Sequence, residues 1–234
     1  MANKSYRDTI KPGGSLIPDT GIFNYLSDKE KQELSQKVTF MGFTRHDILF
    51  KQNMPSDHVV YVLNGLIKIF KTGRNERLIC ISLAGPGMFA GLSSTFGSKD
   101  YKHSSSAIEN TTALMIRKEA LNELIRTNGS FAASLFRIIS SEVLDISDKL
   151  VNFSVKQLPG RVADLIRYFS EDVFRNNEFS VPLTRQEMAE LIGTTKESLI
   201  RTLNEFKHDK IIDLEGKYIR ILSPELIILL SELG

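Results

Sequence analysis

The sequence predicts an α+β chain in three stretches: a roll of short strands, one long helix, and a C-terminal unit of short helices closed by a hairpin. Three observations predict it. From about Thr39 to Ile116 apolar residues recur with a period of two, in short runs divided by turn residues. Near Lys118 the period returns to 3.6, and from Phe131 to Phe153 it runs unbroken. Beyond Gln157-Leu158-Pro159-Gly160, which reads as a breaker, two short segments each open on a capping box.

Residues 1–20 read as a loose arm, interrupted by Pro12, Gly13, Gly14 and Pro18. Ser27 and Glu30 form a capping box for a short helix, with Leu34 and Val38 on one face. Strands are expected at 38–43, 47–50, 59–63, 66–71, 78–83 and 113–116. Asn64-Gly65 is the strongest signal for a tight hairpin, joining 59–63 to 66–71, and Gly85-Pro86-Gly87 marks a corner. Strands at this spacing predict a small barrel or jelly roll over 21–128.

A short helix is expected at 118–127, with Asn128-Gly129-Ser130 ending it and capping the next. In the long helix Leu135, Ile139, Val143, Ile146, Leu150 and Phe153 recur at intervals of three and four, close to a heptad seam. Such a stripe is either a dimer interface or the core face of a helix in its own domain. Its length and its place between two domains favour the dimer. The helix and its hinge are assigned to 129–156 and a separate domain to 157–234. That domain is expected to hold a helix at 161–174, a strand at 179–183, two short helices, a hairpin around Glu215-Gly216 and a last helix from Ser223.

Composition narrows the function. The chain has 234 residues, 41 % hydrophobic and 25 % charged, which is ordinary for a globular protein. The apolar run at 226–230 is too short to span a bilayer, and the polar N-terminus has no signal-peptide pattern. A cytoplasmic place and no membrane partner are therefore expected. Cys80 is the single cysteine, which excludes an internal disulfide and a cysteine-held iron–sulfur cluster or zinc site within one chain. It lies in the apolar run Leu78-Ile79-Cys80-Ile81 and reads as buried filler rather than a redox-sensitive thiol. His46, His58, His103 and His208 lack metal-ligand spacing, so no metal site and no catalytic residue is assigned, against a roll-shaped metalloenzyme. Net charge is +2, but from Lys156 onward thirteen Asp and Glu exceed eleven Lys and Arg. Local placement of charge, not its total, must carry any binding to nucleic acid.

The decisive motif runs from Thr184 to Arg201. Thr184 with Glu187 is a capping box, Ala189 lets a second helix cross closely, and Gly193 supplies a positive φ at the turn. Thr194 with Glu197 reads as a second capping box, and Leu199 and Leu203 point to a core. This is a helix-turn-helix pattern. Lys196, Glu197, Ile200 and Arg201 fall on the opposite face, placed to meet base edges in a major groove. Glu197 and Arg201 are four apart and are expected to hold each other in place. Thr184, Arg185, Gln186 and Thr195 suit phosphate contacts. Lys217 and Arg220 on the hairpin are either backbone contacts or solvated edge charges.

From about Phe23 to Leu222 the sequence resembles the CRP/FNR family of bacterial regulators, those related to the catabolite activator protein. The resemblance rests on Leu183-Thr184-Arg185-Gln186-Glu187, on Lys196-Glu197-Ser198-Leu199-Ile200-Arg201, and on Leu158-Pro159-Gly160-Arg161-Val162. Within the roll it rests on Gly42, Asp47-Ile48-Leu49-Phe50, Tyr61-Val62-Leu63-Asn64-Gly65 and Gly85-Pro86-Gly87-Met88-Phe89. It implies a cyclic-nucleotide-binding-like β-roll that senses an effector, a dimerisation helix, and a C-terminal winged helix-turn-helix. It further implies a homodimer on a palindromic double-stranded DNA site, working with RNA polymerase. In the family the Glu and Arg of the second helix read a TGTGA-like or TTGAT-like half-site. Glu197 and Arg201 stand at those positions, whereas Lys196 stands where Arg is frequent.

The effector region implied by the resemblance holds Phe89, Gly91, Leu92, Lys102, His103 and Ser104. Cyclic-nucleotide binders of the family carry a Gly-Glu-Leu for the ribose and an Arg for the cyclic phosphate. Phe89-Ala90-Gly91-Leu92-Ser93 has no Glu and Lys102-His103-Ser104-Ser105 has no Arg, which argues against cyclic AMP. The oxygen-sensing branch needs a cysteine cluster that Cys80 alone does not supply. Haem, with His46, His58 or His103 as ligand and a gas as signal, stays open beside a small apolar or anionic ligand, or none.

Overall fold

Alternating apolar residues settle into strands because one face of each can then be buried while backbone groups pair with neighbours. The protein, seen in a computed structural model that describes residues 16–73 and 78–234, places eight such strands in its first part. The arm expected over 1–20 lies outside the described residues as far as 15. The strands are β1 (Val38–Phe43), β2 (Ile48–Phe50), β3 (His58–Asn64), β4 (Ile67–Thr72), β5 (Leu78–Ala84), β6 (Phe89–Ala90), β7 (Ser104–Ala107) and β8 (Thr111–Arg117). They form two sheets, ordered β1-β8-β3-β6 and β2-β7-β4-β5.

This order corrects the hairpin expected at Asn64-Gly65. Strand β3 pairs with β8 and β6, and β4 pairs with β7, so the two strands flanking the turn are in different sheets. The turn is a corner that hands the chain from one sheet to the other. Gly65 has φ +93°, and a side-chain carbon there would lie 2.4 Å from Thr111 Oγ1 and 2.6 Å from the Asn110 carbonyl oxygen. The 108–111 corner sits against it: the Ile108 amide and the Thr111 hydroxyl both donate to the Leu66 carbonyl, at 2.8 and 3.3 Å. The β3–β4 ribbon therefore follows the β7–β8 ribbon across both sheets, which is jelly-roll topology. Strands β6 and β7 and the short helix α2 (Leu92–Gly97) were not legible in the sequence, because Ser104-Ser105-Ser106 reads as polar loop although all three are buried.

Two cores result. Phe43, Phe50, Val60, Val62, Ala90, Ala107 and Ala113 fill the space between the sheets. On the outer face of the first sheet, Phe23, Tyr61, Phe89, Leu114 and Leu121 pack with residues of the flanking helices. Those helices are α1 (Asp28–Ser35), opened by the Ser27–Glu30 capping box, α3 (Lys118–Thr127) and the start of α4 (Gly129–Val155). Asn128 caps α4 by accepting from the Phe131 amide at 2.9 Å, while its own amide donates to the Tyr25 carbonyl and to Glu30. Cys80 is buried.

The chain divides into two compact units, 16–73 with 81–144 and 78–80 with 145–234 among the described residues, so the division falls inside α4. The expected stripe on α4 is split between uses. Leu135 is buried in the core of its own unit and Ile139 packs against that core, so neither is wholly available to a partner. Val143, Ile146 and Leu150 are 60 %, 51 % and 66 % exposed, and Phe136, seven residues before Val143, is 72 % exposed.

In the second unit, Pro159 starts a helix instead of breaking one. Helix α5 (Leu158–Tyr168) carries it in the first turn, where its missing N–H has no partner to lose. The helix widens into one π turn at Phe169–Phe174 and stops at Arg175, φ +51°. A three-stranded antiparallel sheet follows, ordered β10-β11-β9, from β9 (Glu178–Ser180), β10 (Ile212–Glu215) and β11 (Tyr218–Ile221). Helices α6 (Arg185–Leu191), α7 (Lys196–His208) and α8 (Pro224–Leu233) complete the unit. Asp164 on α5 ties it together, accepting from Lys156 at 2.8 Å and from the Ser231 hydroxyl at 2.6 Å. Among the described residues no helix is long and apolar enough to cross a membrane.

Candidate nucleic-acid interface

Helices α6 and α7 are held by their ends. The Thr184 hydroxyl accepts from the Glu187 amide at 3.2 Å, and the Glu187 carboxylate accepts from the Thr184 amide at 2.8 Å, closing the expected capping box. At the other end Gly193 has φ +68°, and the Thr194 amide reaches back to the Ala189 carbonyl at 2.9 Å. This is the left-handed turn that ends a helix and lets the next begin at an angle.

The second cap lies one residue later than the sequence indicates. Thr195, not Thr194, is the N-cap of α7: its hydroxyl accepts from the Ser198 amide at 3.2 Å. Ser198 therefore takes the place expected for Glu197, whose carboxylate is left outside the cap. The shift follows from the turn, since Thr194 already uses its amide to close α6.

Helix α7 is sharply two-faced. Leu199, Thr202, Leu203 and Phe206 are buried, while Lys196, Glu197, Arg201, Asn204 and Glu205 are exposed and Ile200 is half-buried between them. Neither Glu197 nor Arg201 holds a hydrogen bond or ion pair among the described residues, so the pair expected between them is not formed and both heads are free. An open concavity of about 650 Å³ runs along this face, lined by Glu197, Ile200, Arg201, Asn204, Glu205 and His208.

The four residues expected at phosphates have different occupations. Thr184 spends its hydroxyl hydrogen on Glu187. Arg185 is half-buried and donates to the Gly216 carbonyl at 2.5 Å, tying the start of α6 to the hairpin turn. Gln186 and Thr195 remain at the surface, Gln186 donating to Glu190 at 3.0 Å and Thr195 to Ser198 at 3.0 Å. On the hairpin, Arg220 pairs with Glu178 at 2.9 Å and Lys217 donates to the Pro182 carbonyl at 3.2 Å.

Sequence reasoning missed Arg161 as a member of this site. Its Nη1 donates to the Ile192 carbonyl at 2.9 Å, at the end of α6. No spacing rule links residues 31 positions apart; only the fold brings them together. Phe153, assigned to the seam, stands here too, with its ring 3.5 Å from where a side chain on Gly193 would begin.

The residues expected around an effector do not share one face. Phe89 and Leu92 lie in the helix-side core, and Ala90 faces the interior of the roll. Beneath Gly91 the rings of Phe50 and Tyr101 stack at 4.3 Å, and a side-chain carbon on Gly91 would lie 3.2 Å from Tyr101. Ser104 accepts from the Gln52 amide at 2.9 Å, and the next residue, Ser105, has a buried hydroxyl with no partner among the described residues. Lys102 is exposed. His103 faces Ser94 at 3.5 Å; burial, with Lys71 alongside, pushes its pKa below the ordinary imidazole value, which keeps it neutral at pH 7. His46 is exposed, with φ +74°, and His58 is half-buried at the start of β3.

Family models match both parts of the chain: a cyclic nucleotide-binding domain over residues 41–128 and a Crp-like helix-turn-helix domain over 160–227. The chain belongs to the CRP/FNR family of transcriptional regulators. It is 24 % identical over 214 residues to the CRP-like cAMP-activated global transcriptional regulator of Mycobacterium tuberculosis, covering 90 % of this chain and 96 % of that one. It is 29 % identical over 182 residues to the transcriptional activator FnrA of Stutzerimonas stutzeri, covering 75 % and 73 %. Among solved structures, FixK2 of Bradyrhizobium japonicum shares the fold with a TM-score of 0.76 at 18 % identity, over 83 % of this chain and 97 % of that one. The c-di-GMP-responsive global regulator CLP of Xanthomonas campestris does so at 0.72 and 18 %, over 83 % and 99 %. The protein is thus a transcriptional regulator with a DNA-binding helix-turn-helix and an effector-binding domain.

The two threonines before α7 separate the caps experimentally. Thr195→Ala is expected to lower stability by about 1 kcal/mol, and Thr194→Ala by less than about 0.5 kcal/mol, in urea unfolding followed by circular dichroism. The reverse order would place the cap at Thr194.

Proposed function

We propose that this regulator reads DNA as a homodimer, through the face of α7 that carries Lys196, Glu197, Ile200 and Arg201, on a two-fold symmetric site. The observation that carries the reading is the exposure of Lys196, Glu197 and Arg201, whose heads have no partner among the described residues, on a helix fixed by its buried side. An exposed guanidinium offers guanine O6 and N7 a bidentate partner, and a free carboxylate accepts from cytosine N4. Gln186 and Thr195 stand at the helix starts, where phosphate contacts fix register; Thr184 and Arg185 hold the frame instead. RNA polymerase as a partner and a cytoplasmic place belong to the same reading. So do the domain limits, with 21–128 sensing, 129–156 coupling and 157–234 binding.

The dimer rests on α4. Phe136, Val143 and Leu150 repeat every seven residues, with Ile139 and Ile146 between them. Four of these five are more than half exposed, and a second copy of the same stripe would remove them from water. Leu135 and Phe153, spent on contacts within their own units, leave the seam. The two α7 helices would then stand roughly 34 Å apart, one turn of DNA.

We also propose that the effector is not cyclic AMP. The stretch at 89–93 has no Glu, the one at 102–105 has no Arg, the His103 imidazole is neutral, and the Phe50–Tyr101 stack fills the space under Gly91. An anionic phosphate would find no bidentate cation there.

Three measurements check these readings. Arg201→Ala is expected to cost about 1–3 kcal/mol of binding to a specific site and to relax choice at one guanine; an equal loss on scrambled DNA would rule out base reading by Arg201. In sedimentation, Leu150→Asp should run as a monomer, and a persisting dimer contradicts the seam. Calorimetric titration with cyclic AMP is expected to be flat; saturable heat would overturn the effector argument.

A further inference from the structure

We infer that Arg161, braced by Phe153, sets the pose of the helix-turn-helix and is a positioning residue for DNA reading. The inference rests on α7 as the base-reading helix. Arg161 lies in the first turn of α5, a few residues after the end of α4. Its Nη1 donates to the Ile192 carbonyl at 2.9 Å and to the Gly193 carbonyl at 3.5 Å, the backbone groups left open where α6 stops. A cation suits that end of a helix. Its guanidinium carbon lies 5.7 Å from the centre of the Phe153 ring, and Lys149 Nζ lies 5.6 Å from the same centre. Phe153 in turn lies 3.5 Å from where a side chain on Gly193 would begin.

The contact is unusual in one respect. Arg161 Nε is buried and has no partner among the described residues. The side chain is held where it bridges three elements: the last turn of α4, the first turn of α5 and the turn before α7. Rotation at residues 156–157 shifts Phe153 against Arg161. That shift reaches the Ile192 and Gly193 carbonyls directly, and Lys196 begins α7 three residues later. The orientation of the reading face is thereby linked to the end of the long helix.

The test uses the full chain and two duplexes, one selected by the wild-type protein from a random pool and one scrambled. Arg161→Met keeps the stem and removes the charge and donors; Arg161→Lys restores a charge. In fluorescence anisotropy, Arg161→Met is expected to weaken binding to the selected duplex by about 5–150-fold, with the scrambled duplex within about twofold. Arg161→Lys should recover part of the loss, and adding Phe153→Leu to Arg161→Met should cost little more, because both act on one contact. Equal loss on both duplexes, or additive losses, overturns the inference. Should Arg161→Met fail to fold, Phe153→Leu alone decides by hydrogen exchange at Thr194, whose amide donates to Ala189 at 2.9 Å. Faster exchange there supports the bracing, and unchanged exchange overturns it. If the wild-type chain selects no sequence, base reading by α7 fails, and the exchange measurement still decides whether Phe153 braces the turn.

Discussion

Burial of one side of α7 is the constraint on which the rest depends. Leu199, Thr202, Leu203 and Phe206 recur at intervals of three, one and three, and they are buried together against the other helices and the small sheet. With that side fixed, the helical period leaves Lys196, Glu197 and Arg201 no direction but outward. The caps do the remaining work. Thr184 and Thr195 fix where each helix starts, Gly193 sets the angle between them, and Arg185 joins the assembly to the hairpin through Gly216. A face held in this way would lose little conformational freedom on meeting DNA.

Local chemistry is the part of the fold most legible in the sequence. Capping boxes at Ser27–Glu30 and Thr184–Glu187 are local, with donor and acceptor three residues apart, and the structure has both. The positive φ at Gly193 was equally local. Part of what the sequence misses is decided at long range. Asn64-Gly65 has hairpin chemistry, but which strands pair is settled by Thr111 and Asn110, some 46 residues away, against which Gly65 packs. Three buried serines in β7 carry no hydrophobic signal, since their burial is enforced by strands on either side. Pro159 reads as a breaker because the sequence does not say whether a proline ends a helix or begins one. The α7 cap falls one residue later than the sequence indicates because Glu197 favours Thr194 as the cap, whereas the turn has already used the Thr194 amide.

The long helix shows how one sequence pattern serves two ends. Its intervals of three and four continue from Leu135 to Phe153, yet Leu135 is consumed by the core beside the roll and Phe153 by the turn at Gly193. Of the stripe, Val143, Ile146 and Leu150 stay exposed, with Phe136 beside them. A periodic stripe states that a face is apolar; it does not state what covers it. In the roll, too, the family pattern and the residues diverge. The jelly-roll order is retained, whereas residues 89–93 carry no Glu and residues 102–105 no Arg.

In the proposed function two copies of one exposed helix face read DNA symmetrically. Selecting duplexes from a random pool with the wild-type protein tests it most directly. The account predicts enrichment of an inverted repeat whose half-sites are centred about 10 base pairs apart, with a guanine in each half placed to meet Arg201. A pool that shows no enrichment, or a single unsymmetric site, would contradict it.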